Sequence, residues 1–95
     1  MMEVFMARAI IDPDEVRAFA SELKKFNDEL HSRMMSLYMR YKALGETWQD
    51  QEQIKFAEEF EKSIKNLKKF IELANIQAPI LMRKAEKIDE YLNQR

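Results

Sequence analysis

Residues 45–56 read GETWQDQEQIKF, and the only glycine and the only tryptophan of the 95-residue chain lie here, three residues apart. Long apolar repeats precede and follow this stretch. Because glycine often ends a helix in the left-handed conformation, we expect Gly45 to close a first helix. Thr47 with Asp50 and Asp50 with Gln53 are alternative capping pairs for a second helix. So short a connection predicts an antiparallel helical hairpin.

The first helix has a clear start. Asp12 suits the N-cap, Pro13 suits the first helical position, and Glu15 completes an Asp-x-x-Glu capping box. Apolar residues then recur at intervals of seven: Val16, Leu23, Leu30, Leu37 and Leu44. This spacing keeps them on one side of a helix over residues 13–44.

The second helix shows a stricter repeat, with apolar residues in steps of three and four from Ala57 to Leu92. Pro79 interrupts it and costs about 3 kcal/mol in a helix interior. Since the repeat keeps its phase from Ala78 to Leu81, we expect one kinked, continuous helix. The predicted organisation is all-α: a short lead over residues 1–11 and a hairpin domain over residues 12–95. The domain has helices at about 13–44 and 51–93 and a turn at 45–50.

Trp48 is predicted to close the end of the hairpin against Tyr41, Leu44 or a partner helix, because its ring is apolar and it carries one N–H group. We thus expect Gly45 to let the chain reverse direction and Trp48 to cover the end of the hairpin. The predicted turn motif comprises Gly45, Thr47, Trp48, Asp50 and Phe56.

The apolar stripes are wider than a two-stranded seam. Phe19, Phe26, Phe56 and Phe70 flank the main repeats, and such width suits four helices. We therefore expect hairpins to dimerise into a four-helix bundle. A homodimer is favoured over pairing with a related hairpin protein, since neither helix shows a face of one charge sign. The predicted dimer core is Leu23, Phe26, Leu30, Leu37, Phe60, Ile64, Leu67, Ile71 and Leu81.

The composition argues against catalysis and nucleic-acid binding. Sixteen Lys and Arg residues balance seventeen Asp and Glu residues, whereas nucleic-acid binders usually show a basic excess. The absence of cysteine excludes a disulfide framework and a thiol nucleophile. His31 is the lone histidine and has no Glu-x-x-His or His-x-x-x-His pattern around it. We therefore expect that the protein is not an enzyme and that it binds no cofactor and no metal.

The chain shows no sign of membrane insertion. Its longest wholly apolar runs span a few residues, against the roughly 20 that a bilayer-spanning helix needs. The opening MMEVFMARAI carries Glu3 and lacks a basic start, so it does not match a Sec signal peptide, and Met6 is a second candidate start. We expect a cytoplasmic protein, with export without a cleaved signal peptide as the alternative.

Late in the first helix, Met35, Tyr38 and Met39 are predicted to point away from the main apolar stripe. Exposed methionines adapt to varied partners, so these residues form a candidate partner patch. Incidental surface methionines are the competing interpretation.

The segment TWQDQEQIKF, set between two long helices in a chain of this length, resembles the WXG family of early-secreted-antigen-like, type VII (Esx) secretion substrates. Trp48 stands where the family tryptophan stands, and Phe56 follows eight residues later, where the family often has an aromatic residue. The opening IDPDEVRAFASEL is similar to the family's first-helix start. Asp50 replaces the glycine of the Trp-x-Gly motif. The family's C-terminal Tyr-x-x-x-Asp/Glu signal has a counterpart in Tyr91, but the fourth residue on is Arg95.

The resemblance implies a non-enzymatic hairpin dimer that is a type VII secretion substrate or a carrier for one. It also implies that Trp48 and Tyr91 of the partner subunit present a recognition surface to a secretion ATPase. An intracellular structural or adaptor protein of the same fold is the alternative, favoured by Arg95. A lipid-surface module is a third hypothesis, disfavoured because the polar faces mix both charge signs: Lys62, Lys65, Lys68 and Lys69 have acidic neighbours.

Overall fold

The computed structural model describes residues 11–93 as two α-helices, α1 (Pro13–Leu44) and α2 (Gln51–Asn93), with no strand in this range. The helices pack antiparallel: Arg17 contacts Asp89 at one end of the hairpin, and Tyr41 contacts Phe60 at the other. The predicted all-α hairpin is confirmed. The predicted lead, apart from Ile11, and Arg95 lie outside the described residues.

The start of α1 follows from its capping residues. Asp12 has an extended backbone, and its Oδ1 accepts a hydrogen bond from the Asp14 N–H at 2.9 Å. Pro13 occupies the first helical position, where no N–H is needed. Arg17 Nη2 lies 2.8 Å from both Asp14 Oδ1 and Asp89 Oδ2, so it ties the start of α1 to the end of α2. The hydrogen bond to Asp14, and then that to Asp89, raises the pKa of Arg17.

Gly45 corrects one prediction: it is right-handed, with φ −63° and ψ −16°. Its N–H donates to the Tyr41 carbonyl at 3.2 Å, which continues the helical pattern. The N–H groups of Thr47 and Trp48 both donate to the Leu44 carbonyl, at 3.1 and 3.0 Å. Because these bonds satisfy the last carbonyls of α1, the chain leaves the helix without a left-handed residue.

Gly45→Ala is therefore expected to stabilise the protein by about 0.4–1 kcal/mol, because alanine restricts the unfolded chain and fits this backbone conformation. A Cβ at this position would meet the Lys42 carbonyl oxygen at 3.4 Å, an ordinary contact. Urea denaturation followed by circular dichroism measures the change. The matched control, Ala43→Gly within α1, should destabilise by about 1 kcal/mol. A clear loss of stability in Gly45→Ala would show that the turn needs glycine after all.

The cap of α2 is Asp50. Its Oδ1 accepts from the Gln53 N–H at 2.9 Å, and its carbonyl accepts from the Ile54 N–H at 3.3 Å. The Thr47 hydroxyl instead donates back to the Leu44 carbonyl of α1 at 3.3 Å. Of the two predicted capping pairs, the structure therefore shows Asp50 with Gln53. The helix then runs through Pro79 without ending.

The contact between the helices follows one line on each. In α1 the buried residues are seven apart: Ala20, Asn27 and Met34. In α2 the buried residues are Ile64, Ile71, Ala74, Ala78 and Ala85. The leucine repeat that the sequence suggested as the main line of α1 lies along the edge of this contact, and its last members, Leu37 and Leu44, are about half exposed.

The hairpin is long and thin. Its Cα radius of gyration is 20.6 Å, whereas a compact domain of this length has about 12 Å. The chain exposes 7942 Å², against about 5,800 Å² for a compact monomer of its mass. Two helices thus leave much surface that a globular domain would bury.

Candidate functional site

One side of the hairpin carries a continuous row of exposed apolar side chains, here called the apolar face. All six are between 43% and 60% exposed: Phe19, Phe26, Leu37 and Leu44 from α1, and Phe56 and Phe70 from α2. Phe26 and Phe70 meet edge to face with ring centroids 6.3 Å apart, which places the two helices' contributions on the same side.

Shallow grooves continue this face toward the turn. Leu37, Leu44 and Phe56, with Tyr41 and Arg40, line a groove of about 330 Å³. An adjoining groove of about 490 Å³ runs between Leu30, Leu37 and Leu67, bordered by Arg33 and Arg40. Contiguous exposed apolar surface of this kind is typical of sites that bind proteins, membranes or ligands.

The residues predicted for a dimer core divide between two places. Ile64 and Ile71 are buried inside the hairpin with Met34, and Leu30, Phe60 and Leu67 pack against them. Leu23 and Leu81 are half-buried, whereas Phe26 and Leu37 are exposed on the apolar face. The first set holds the hairpin together, and the last two are free for a second chain.

Trp48 belongs to an aromatic cluster at the turn. Its ring centroid lies 5.8 Å from that of Phe56. Phe56 in turn stacks on Phe60 at 5.5 Å, and Tyr41 lies 4.5 Å from Phe60. Trp48 is half-buried. The tryptophan therefore packs on the first turns of α2 and keeps part of its ring exposed at the tip of the hairpin.

Asn27 is a buried polar residue whose burial the apolar repeats did not predict. It is 1% exposed. Its Nδ2 donates to the Ile71 carbonyl at 2.9 Å and to Asn75 Oδ1 at 3.0 Å, while its own Oδ1 is buried without a hydrogen-bond partner among the described residues. The sequence does contain a pattern that indicates this burial. Ala20, Asn27 and Met34 are seven residues apart, so Asn27 is the one polar residue of these three on that side of α1.

The partner patch needs one correction. Met35 and Met39 are exposed as predicted, but Tyr38 packs against the buried cluster of Met34, Ile64 and Ile71. Its Oη donates to Glu61 Oε2 at 3.1 Å. That hydrogen bond, and then burial, raises the pKa of Tyr38. Four residues after Met34, Tyr38 lies over the same side of α1, so it faces α2.

Among the described residues there is no candidate metal site and no membrane-spanning helix. His31 is exposed and lines a groove with Asp28 and Glu72, but residues 11–93 contain no group of three His, Cys, Asp or Glu side chains that could hold a metal ion. No helix within the same range is long and apolar enough to cross a bilayer.

The profile of the WXG100 family, described as proteins of 100 residues with WXG, matches residues 9–91. The chain belongs to the WXG100 family. No curated protein and no solved structure matches it. WXG100 proteins are helical hairpins of the Esx secretion-substrate type and are not enzymes.

In this WXG100 hairpin, Asp50 stands at the glycine position of the motif and caps α2. At this position of the Trp-x-Gly motif, the side-chain oxygen of Asp50 therefore caps the start of α2. Tyr91 is 71% exposed near the end of α2, and the antiparallel helices place it at the end of the hairpin opposite Trp48. A surface that contains both residues requires two chains.

Proposed function

We propose that this WXG100 protein acts as a homodimer in which two hairpins form a four-helix bundle. The observation that carries the proposal is the apolar face, whose four phenylalanines and two leucines are about half exposed. Covering that face with a second hairpin removes apolar surface from water, which is the main favourable term in association.

The surface areas agree with a permanent dimer. Permanent dimers bury roughly 2,000 Å² or more in total, or about 1,000 Å² per chain. This chain exposes 7942 Å², which exceeds the value for a compact monomer of its mass by about 2,000 Å². One hairpin thus has enough surplus surface to supply its half of such an interface.

The charges beside the apolar face favour pairing with a second copy. Arg33 and Arg40 of α1 border its groove. Glu59 follows Phe56 by three residues, so it lies on the same side of α2. Each hairpin therefore carries both charge signs beside the apolar face, so a second copy meets no face of one charge sign.

Light scattering over a dilution series, with circular dichroism on the same samples, tests the dimer. The expected result is a helical species of about twice 11.4 kDa that persists on dilution. A monomer, or a poorly helical chain, would overturn the homodimer. Restored helicity on adding another hairpin protein of the same family would then identify a heterodimer.

We further propose that the dimer is a type VII secretion substrate or a carrier for one. Family membership supports this role, since WXG100 proteins are secretion substrates of the Esx type. In a bundle of two antiparallel hairpins, Trp48 of one chain lies near Tyr91 of the partner subunit. The exposed part of Trp48 and the exposed Tyr91 ring then form one surface for a secretion ATPase.

Tyr91→Ala is expected to abolish export by a type VII system while leaving the melting temperature nearly unchanged, because a side chain this exposed contributes little to stability. Culture-supernatant immunoblots and thermal denaturation measure the two effects. Tyr91→Phe is the matched control and should retain export.

Arg95 supplies the complementary experiment. Arg95→Asp creates the Tyr-x-x-x-Asp pattern from Tyr91 onward, and it should increase export if that pattern is read by the secretion machinery. Wild-type protein that stays inside the cell, together with an Arg95→Asp variant that also stays there, would favour the intracellular adaptor instead.

A further inference from the structure

The apolar face is bordered along α1 by a row of charged residues whose sign changes halfway along the helix. Carboxylates occupy the half nearer the start of α1, and guanidinium groups occupy the half nearer the turn: Glu15, Glu22, Glu29, Arg33 and Arg40. All five residues are exposed. Within residues 11–93, no salt bridge joins any of them to another side chain. We call this row the charged edge.

The other charges of α1 lie farther from the apolar face. At about 100° per residue, all five charges of the edge lie within about 60° of Phe26 around the helix. Lys25 is the next nearest charge, at about 100° from Phe26, so it is directed away from a chain that covers the apolar face. Arg33 and Arg40 line the groove beside Leu37, which agrees with this placement. Each half of the charged edge therefore has one sign.

Given the homodimer proposed above, on which this pairing rests, we propose that the charged edge selects a second copy of this chain and sets its direction. Two α1 helices that lie antiparallel across a twofold axis at residue 31 bring Glu22 opposite Arg40 of the partner subunit. The same axis brings Glu29 opposite Arg33 of the partner subunit. Symmetry repeats each contact, so two kinds of pair give four ion pairs.

The apolar side chains of α1 select nearly the same axis independently. Phe26 and Leu37 have their midpoint between residues 31 and 32, and so do Phe19 and Leu44. All four side chains are between 46% and 60% exposed in the hairpin. In the antiparallel dimer, each of these phenylalanines therefore meets a leucine of the partner subunit. One alignment buries the apolar residues of α1 and pairs its charges at the same time.

A parallel dimer would use the charged edge differently. With the twofold axis along the hairpin, α1 of one chain lies across from α2 of the partner, so the edge no longer meets itself. In coiled coils, charges beside an apolar seam set partner choice and direction in this way. Exposed ion pairs contribute little affinity each. The apolar face thus supplies most of the affinity, and the charged edge determines which arrangement forms.

Charge reversal in either half of the edge tests the proposal. Glu22→Arg/Glu29→Arg makes the four paired positions all positive, whereas Arg33→Glu/Arg40→Glu makes them all negative. Each variant alone should dimerise about a hundredfold more weakly than the wild type, at roughly threefold for each of the four ion pairs. Sedimentation equilibrium over a dilution series measures the dissociation constant, and circular dichroism on the same samples checks that both variants stay helical.

An equimolar mixture of the two variants should restore the wild-type dissociation constant. In an antiparallel dimer with one chain of each kind, every arginine at a paired position meets a glutamate. Native mass spectrometry identifies this composition, because the two variants differ in mass. The combined variant Glu22→Arg/Glu29→Arg/Arg33→Glu/Arg40→Glu should also dimerise as the wild type does, since it exchanges the two members of every pair.

A control variant separates the charged edge from net charge. Lys25→Glu/Lys68→Glu changes the net charge as much as Arg33→Glu/Arg40→Glu does, at exposed positions outside the edge, and should keep the wild-type dissociation constant. An equal loss in this control would overturn the proposal, as would a mixture that dimerises no more tightly than either reversed variant alone. Both results would leave the homodimer in place. A monomeric wild type would instead overturn the homodimer itself.

Discussion

Phe26→Glu is expected to convert the proposed dimer into a monomer. Phe26 is 54% exposed in the hairpin and contacts Phe70 on the apolar face. In a twofold dimer the substitution places two unpaired carboxylates in a dry interface, at about 3 kcal/mol each or more. The dissociation constant should therefore rise about ten-thousandfold. Light scattering and sedimentation over a dilution series measure the change.

Ile76→Glu is the matched control for this experiment. Ile76 is 59% exposed, so the same apolar-to-acid change is made at similar exposure, but on the side of α2 that faces away from α1. It should leave the dimer intact. Dimers that survive Phe26→Glu would show that another surface forms the interface. Dimers lost only in Ile76→Glu would assign the interface to the side of α2 around Ile76.

The hairpin itself was predictable because local signals agreed with one another. Asp12 and Pro13 mark the start of α1, and Asp50 with Gln53 marks the start of α2, through hydrogen bonds between residues close in sequence. The apolar repeats select helices over strands by their period. The predicted left-handed conformation of Gly45 was wrong, because a glycine at a helix end permits the left-handed region without requiring it. Gly45 stays right-handed because its N–H bonds to the Tyr41 carbonyl and the N–H groups of Thr47 and Trp48 bond to the Leu44 carbonyl.

The face of α1 that contacts α2 was harder to predict. Two parallel lines, one through Leu30 and one through Asn27, share the same period of seven, and the leucine line is the more hydrophobic. The choice between them depends on how the helices cross. Small residues on α2, such as Ala78 and Ala85, admit close approach and bury the line through Asn27. The leucine line is left at the edge, where Leu37 joins the apolar face.

Buried polar residues between helices can fix their register, because a shifted pairing leaves the polar group without its partners. Asn27 holds this position in the hairpin. Its amide bonds to the Ile71 carbonyl and to Asn75 exist only when residue 27 lies opposite residues 71–75. The asparagine thus favours a unique alignment of two long helices whose apolar repeats alone would tolerate a shift of seven residues.

Asn27→Asp is expected to destabilise the protein by about 3 kcal/mol at pH 7 and to lower the melting temperature by about 15 °C. The carboxylate would be buried and would face two acceptors, the Ile71 carbonyl and Asn75 Oδ1, where the amide now donates. The groove beside it contains Asp28 and Glu72 as well as Lys68, so it offers no excess positive charge. Thermal denaturation at fixed protein concentration measures the change.

The destabilisation should depend on pH in a defined direction. Burial disfavours the charged form, so the pKa of the new aspartate should be higher in the folded protein than the value of about 3.9 in the unfolded chain. Stability relative to the wild type is then lost as pH rises above the unfolded pKa, and it recovers on acidification. Asn27→Leu, of similar size and without charge, is the control. It should be nearly neutral or stabilising, because a buried asparagine between helices fixes their register at a cost in stability, and it should show no such pH dependence. Equal stability of Asn27→Asp and wild type at pH 7 would show that residue 27 does not lie buried between the helices.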